Sequence, residues 1–169
     1  MKKKCCGVVS CCSAERTLGG LSASDFAALD GLAVKLACLD RDFATPLRQL
    51  GLVVGKRLAS EQSGKPLAFE RALSALMPAC GLEGVVESRL LDCNPGGARL
   101  QIAGCAEALG WSVPRVERTV CVFDAGLFEG FLRGVTGEMD LSVEETACVG
   151  QGYPSCEFVI RKAVGNDRS

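Results

Sequence analysis

The spacing of apolar residues changes once along this chain, and the change restricts the fold more than any other feature. Up to about residue 81 apolar side chains recur every three or four positions, which predicts amphipathic helices at 22–39, 42–63 and 66–78. Beyond that point alternation predicts two hairpins, 85–93 with 98–103 and 139–148 with 155–161, around a glycine-rich helix at 118–135. This order predicts an α+β domain whose N-terminal helices pack on an antiparallel sheet.

The second predicted helix has more apolar surface than a helix with a single buried face requires. Its helical stripe consists of Phe43, Leu47, Leu50, Val54 and Leu58, and residues 50–55 are apolar on all sides. We expect such a helix to be buried on more than one side, either by the rest of the domain or by a second subunit. A homodimer is therefore one expectation from this segment.

Composition and charge argue against several classes of partner and of catalysis. With 169 residues, 48% hydrophobic and 23% charged, the chain is predicted to form one domain at 23–164, between a cysteine-rich extension at 1–22 and a polar tail at 165–169. A net charge of −1 argues against nucleic acid as a partner, and no segment suits a membrane span or an export signal. We therefore expect a cytoplasmic protein whose 11 cysteines are thiols or metal ligands, and the absence of histidine excludes Ser-His-Asp and Cys-His catalysis.

The final predicted hairpin carries a metal-ligand pattern. By the two-residue period of a strand, Glu145 lies on the same apolar face as Val143, where a carboxylate needs a cation, a metal or several donors. Cys148 follows three residues later, and Cys156 lies on the inward face of the last strand. Cys121 supplies a fourth ligand if the glycine-rich helix packs across the hairpin. Three thiolates and a carboxylate suit a closed structural zinc site.

A zinc ion held by these four residues would leave a net charge of −2. We therefore expect backbone N–H groups near Gly150 and Gly152 to donate to the sulfurs. The alternative is that the three cysteines are small core residues and that a β-bulge exposes Glu145.

The same residues resemble a known family. The segment CVFDAGLFEGFL from Cys121, followed by VEETACVGQGYPSCEFVI from Val143, is similar to the C-terminal signature of the 4-vinyl reductase domain, also called the hydrocarbon-binding domain. The resemblance implies a fold like the ligand-binding domain of NO-signalling and Golgi-transport proteins and of phenol-sensing bacterial transcription activators. Those sensors hold zinc through a Cys, a Glu and a Cys pair, roles that fall here on Cys121, Glu145, Cys148 and Cys156.

The resemblance also implies a small apolar or aromatic ligand beside the hairpin. The lining candidates are Trp111, Phe123, Leu127 and Phe131, although aromatic residues at helical spacing are more often core residues. For the glycines of the same helix, Gly126, Gly130 and Gly134, we expect close packing of the helix on the sheet rather than the dimer contact they have in membranes.

The remaining cysteines fall into two groups. Cys5, Cys6, Cys11 and Cys12 form doublets near three lysines and are candidates for a second metal or thiol site, the alternative being a solvent-exposed tail. The others are interpreted as packing residues: Cys38, Cys80, Cys93 and Cys105.

Three functions are compatible with these features. The leading hypothesis is a ligand-binding or sensory domain braced by structural zinc, with no chemistry of its own. The family name suggests instead an accessory protein for vinyl reduction in chlorophyll-type tetrapyrrole synthesis, but the chain has no flavin or nicotinamide motif. The third is a homodimeric assembly or adaptor protein, suggested by residues 50–55.

Overall fold

A computed structural model describes residues 23–62, 64–83, 86–104 and 113–162. Within them lie the helices α1 (Ala23–Leu39), α2 (Ala44–Glu61), α3 (Phe69–Ala79) and α4 (Val122–Thr136), with 3₁₀ turns at Arg41–Phe43 and Val149–Gln151. The strands are β1 (Glu87–Asn94), β2 (Gly97–Ala103), β3 (Ser142–Ala147) and β4 (Cys156–Arg161). The predicted α+β class is confirmed. No helix in these ranges is long and apolar enough to cross a membrane.

The four strands form one antiparallel sheet in the order β1-β2-β4-β3. The pleat sends alternate residues of β2, β4 and β3 to a buried face, among them Leu100, Phe158 and Val143. The opposite face carries cross-strand ion pairs such as Arg99 with Glu157, at 2.9 Å. All eight residues of the edge strand β1 are exposed. The sheet therefore has one apolar face, which the helices cover.

Helix α4 is the centre of the hydrophobic core. Its residues Phe123, Leu127, Phe128 and Phe131 are 0% exposed. The Phe128 ring meets Phe158 of β4 edge-on, with centroids 5.1 Å apart, and so joins the helix to the sheet. Because α2, α1 and α3 pack on other sides of it, α4 is surrounded by protein along most of its length.

Glycines bring α2 and α4 into backbone contact. A Cβ on Gly126 or Gly130 of α4 would overlap the carbonyl oxygens of Arg48 and Leu52 in α2, and a Cβ on Gly51 of α2 would overlap the carbonyl of Phe123. The prediction that the α4 glycines serve helix-on-sheet packing is thus wrong about the partner. The close contact is between two helices of the same chain.

A buried carboxylate ties these helices to the sheet. Glu129 of α4 is 4% exposed and forms ion pairs with Arg48 of α2 and Arg133 of its own helix. It also accepts the backbone N–H of Val143 in β3, at 3.1 Å. Since two guanidinium groups and a backbone donor surround it, the burial of this charge is compensated.

Several boundaries and environments differ from the sequence expectations. β3 begins at Ser142, so Met139 lies before the strand and is 63% exposed instead of facing the core. Phe43 and Leu50 of the expected helical stripe are 40% and 42% exposed, which leaves one side of α2 uncovered by the described residues. Cys93, expected to pack, lies exposed on the edge strand β1. Met139 lies outside its strand and Cys93 lies on an exposed edge strand, whereas Phe43 and Leu50 lie on a different side of α2 from its contact with α4.

Candidate metal centre

The structure places the four predicted ligand residues together. Cys121 immediately precedes α4, Glu145 lies in β3, Cys148 follows β3, and Cys156 opens β4. All four are buried, and one potential ligand atom from each lies within 4.8 Å of the others. Residues separated by up to 35 positions in sequence therefore form a single cluster between the start of α4 and the last hairpin.

A β-bulge explains how Glu145 and Cys148 share one side of the sheet. Residues three apart in a regular strand point to opposite faces. Here the β3–β4 register shifts between Glu145 and Ala147, which inserts an extra residue at Thr146 and reverses the alternation after it. Glu145 stays 8% exposed and Cys148 becomes 0% exposed. The bulge thus completes the cluster. The alternative drawn from the sequence, in which a bulge exposes Glu145, is wrong.

The segment before α4 is fixed on both sides. The Val116 N–H donates to the Gly150 carbonyl at 2.6 Å, and the Arg118 guanidinium donates to the carbonyls of Ala37 and Cys38 at the end of α1. These bonds hold Cys121 against the hairpin that carries the other three residues.

The sulfur spacing matches that of a tetrahedral zinc ion. The Cys121 sulfur lies 3.6 Å from that of Cys156 and 3.9 Å from that of Cys148, and the last two are 3.9 Å apart. Zn–S bonds of about 2.3 Å in tetrahedral geometry require sulfur atoms about 3.8 Å apart. The same distances are far longer than a disulfide bond of about 2.05 Å.

Glu145 has one satisfied and one unsatisfied oxygen. Oε2 accepts the backbone N–H of Cys121 at 2.9 Å, a donor that is not used within the helix because Cys121 precedes its first turn. Oε1 is buried without a hydrogen-bond partner. Burial, and then the neighbouring Cys148, raise the pKa of Glu145 to about 9. A divalent cation would reverse this preference and give Oε1 a partner, so the residues present fit a metal ion.

When no cation is bound, Cys121 favours the neutral thiol. Hydrogen bonding to Cys148 and Cys156, together with burial, raises the pKa of Cys121 well above its ordinary value. The Gly150 N–H points to the Cys148 sulfur at 3.4 Å, as expected. The expectation for Gly152 is wrong, because its N–H donates to the Val149 carbonyl.

The predicted ligand-lining residues do not form one open site. Phe123, Leu127 and Phe131 are 0% exposed and belong to the core around α4. Trp111 lies outside the described residues, as do the leader cysteines Cys5, Cys6, Cys11 and Cys12. A lining role for these aromatic residues remains a prediction, and so does a second metal or thiol site.

Sequence reasoning missed an apolar cleft between α3 and the β1–β2 hairpin. It has a volume of about 280 Å³. Its walls are mainly apolar, with a few polar groups: Leu73, Ser74, Leu76, Met77, Pro78, Glu83, Val86, Ser88, Leu90 and Leu100. No local motif signals it, because the cleft arises from how a helix and a hairpin distant from the cysteine cluster are placed.

Comparisons with known proteins agree with the fold and the motif. The family model of the 4-vinyl reductase domain matches residues 98–162, which include all four residues of the cluster and confirm the resemblance found in the sequence. No curated protein sequence matches the chain significantly.

Three solved structures match the chain, and the first two are similar to it in fold. The phenol-responsive sensory domain of the transcription activator PoxR is 21% identical, with 84% of this chain and 75% of that chain covered and a TM-score of 0.51. A trafficking protein particle complex subunit 3 from Naegleria fowleri, covalently bound to palmitic acid, is 19% identical, with 83% and 94% covered and a TM-score of 0.62. A vinyl-4-reductase family protein from Methanocaldococcus jannaschii is 21% identical, with 69% and 67% covered and a TM-score of 0.49.

Proposed function

This chain contains a 4-vinyl reductase domain at residues 98–162, and from that premise we propose that it is a binding domain for a small apolar molecule, braced by a structural zinc ion. The buried cluster of Cys121, Glu145, Cys148 and Cys156 carries the proposal. Zinc accepts three thiolates and a carboxylate in a closed tetrahedral set, which leaves no coordination position open for a substrate. The ion would tie the start of α4 to the β3–β4 hairpin.

Native mass spectrometry of the full chain, purified without added metal, tests the brace. We expect one zinc per chain in the wild type, none in Cys148→Ser, and one in Cys93→Ser. Cys93 is the matched control because it is exposed on β1, away from the cluster. A folded wild-type protein without metal would refute the zinc site.

The cleft between α3 and the β1–β2 hairpin supports ligand binding. Its volume of about 280 Å³ is at the small end of ligand sites, which suits a single ring or a short chain better than a large cofactor. Leu76 and Leu100 supply apolar wall, while Glu83 and Ser88 supply oxygen atoms that could accept a hydrogen bond from a ligand hydroxyl. Similar folds that bind phenol and palmitic acid add support by analogy.

Phenol and 1-hexanol, a single ring and a short chain, are suitable probes, with binding measured by calorimetry on the full chain. Ser88→Trp should abolish binding of whichever probe binds, because the indole would fill the cleft. Arg89→Trp is the matched control, since Arg89 is the next residue of β1 and does not line the cleft. The ligand proposal fails if neither probe binds and no small molecule co-purifies, whereas equal loss in both variants would place the site elsewhere.

A further inference from the structure

The cleft between α3 and the β1–β2 hairpin carries a negative charge and no positive charge in its described wall. Among the described residues that line it, Glu83 is the only charged one, and none is a lysine or an arginine. Glu83 is exposed, and no ion pair within the described part of the chain involves it. Its charge is therefore available to a molecule that enters the cleft.

Two further polar groups of the wall can only accept hydrogen bonds. The Ser74 hydroxyl donates its proton to the Glu70 carbonyl at 3.0 Å, which leaves only its lone pairs for a ligand. Pro78 lies inside α3 and has no N–H, so the Ser74 carbonyl lacks the donor that the helix would otherwise supply. Together with the Glu83 carboxylate, these oxygens make the described wall rich in acceptors, although the Ser88 hydroxyl can also donate.

Backbone hydrogen bonds fix the position of Glu83 at the end of α3. The Leu82 N–H donates to the Met77 carbonyl at 3.0 Å, and the Val86 N–H donates to the Leu82 carbonyl at 3.2 Å. A β-bridge also pairs Glu83 with Val86. The carboxylate thus lies on a fixed turn of the cleft wall, which also contains apolar side chains such as Leu76. A bound molecule would meet an apolar surface and an anionic group in the same cleft.

We propose that the cleft selects protonated amines with a short apolar chain, and that Glu83 determines this specificity. The proposal rests on the proposed binding function and adds the ligand class to it. An ammonium group brings three donors and a positive charge, which match an acceptor-rich wall that contains a carboxylate. A carboxylic acid of the same length would bring a second negative charge towards Glu83, and an alcohol would donate one hydrogen bond without a charge.

Calorimetry on the full chain at neutral pH, with three probes of equal chain length, tests this selectivity: hexylamine, 1-hexanol and hexanoate. We expect hexylamine to bind at least about 5-fold more tightly than 1-hexanol, because hydrogen bonds to charged groups are the stronger ones, and the exposure of Glu83 moderates the gain. Hexanoate should bind at least about 5-fold more weakly than 1-hexanol, because it repels Glu83.

Two glutamine variants test whether Glu83 is the cause. Glu83→Gln keeps the shape of the side chain and removes its charge, so hexylamine and 1-hexanol should then bind with about equal affinity. Glu87→Gln is the matched control, because it removes the same charge from an exposed position of β1 that does not line the cleft, and it should keep the wild-type preference.

The outcomes separate this inference from the binding function on which it rests. If 1-hexanol binds the wild type as tightly as hexylamine does, the inference fails and the binding function stands. A preference for hexylamine that falls equally in Glu83→Gln and Glu87→Gln overturns the role of Glu83. If phenol and all three of these probes fail to bind and no small molecule co-purifies, the binding function fails as well.

Discussion

Adjacent residues of β3 give the sharpest test of the metal centre at the scale of single side chains. Glu145 and Glu144 are neighbours, but Glu145 faces the cysteine cluster while Glu144 is exposed and pairs with Arg161. Glu145→Gln removes the charge and should weaken zinc binding by more than about 10-fold, since even groups outside a ligand set typically contribute that much. Glu144→Gln should leave the affinity unchanged, as measured by competition with a chromophoric chelator. Equal affinities in the two variants would remove Glu145 from the ligand set.

Asp30, which is not one of the four candidate metal ligands, predicts a pH dependence of stability. It lies in α1, its Oδ1 is buried without a partner, and its side chain hydrogen-bonds to Asp124 of α4. Burial raises the pKa of Asp30 from 3.8 to about 6. The folded state therefore holds this proton more tightly than the unfolded chain does, and the free energy of unfolding should fall as the pH rises from about 4 to 6.

Asp30→Asn should remove this pH-dependent loss in the free energy of unfolding. The variant is expected to gain roughly 1–3 kcal/mol over the wild type at about pH 7 and little at about pH 4, as measured by urea unfolding. Asp140→Asn is the control, because Asp140 is exposed in the loop before β3. A gain that is the same at both pH values would assign the effect to something other than this proton.

At the scale of elements, the α2–α4 contact tolerates no added Cβ at its centre. Gly126→Ala would push a methyl group against the Arg48 carbonyl of α2, and neither backbone can move without separating the helices. We expect a loss of more than about 3 kcal/mol, although alanine is ordinarily the better helix former. Gly134 meets only the Cβ of Ala59 at close range, so Gly134→Ala should cost less.

A second substitution, in α2, distinguishes the contact at Gly134 from the contact at Gly126. Ala59→Gly should restore much of the stability lost in Gly134→Ala, because it removes the one side-chain atom in contact, and should leave Gly126→Ala unchanged. Thermal unfolding of the single and double variants would measure both effects. Restoration of Gly126→Ala by the same substitution would contradict a backbone contact at that position.

The elements also differ in how far the sequence could predict their part of the site. Residue type and order were sufficient to select Glu145, Cys148 and Cys156, because a carboxylate buried beside two cysteines in a hairpin is costly unless a cation accompanies it. The bulge at Thr146 was not predictable as a means of turning Cys148 inward, since a bulge depends on the register with β4. Likewise, the glycine spacing in α4 predicted a close approach but could not identify α2 as the partner.

For the whole molecule, the period change near residue 81 was sufficient to predict the class and the order of elements, because a helix and a strand bury different repeats. The period change could not predict which faces of the helices and of the sheet remain exposed. The exposed side of α2 and the cleft beside α3 depend on where distant elements end. Apolar spacing along the sequence is the same for a core residue and for an exposed one. Leu47 and Leu50 illustrate this: both belong to the same sequence stripe, yet only Leu47 is buried in the domain.

Chelation tests how far the fold depends on the proposed ion. The main core around α4 includes Phe128, Phe131 and Phe158. Phe128 packs edge-on against Phe158, so this part of the core does not depend on contacts with the cluster ligands alone. The chain without metal should therefore still unfold cooperatively. The ion joins the start of α4 to the last hairpin, however, and structural zinc contributes on the order of 10 kcal/mol in small domains.

With about 2–4 °C per kcal/mol for a chain of this size, a strong chelator should lower the Tm by roughly 20 °C or more. Cys148→Ser should start at the lower Tm and show no response to the chelator, because it has no ion to lose. If the wild-type Tm is equally insensitive, the hairpin and α4 are held by packing alone, and the cysteine cluster has no part in stabilising the fold.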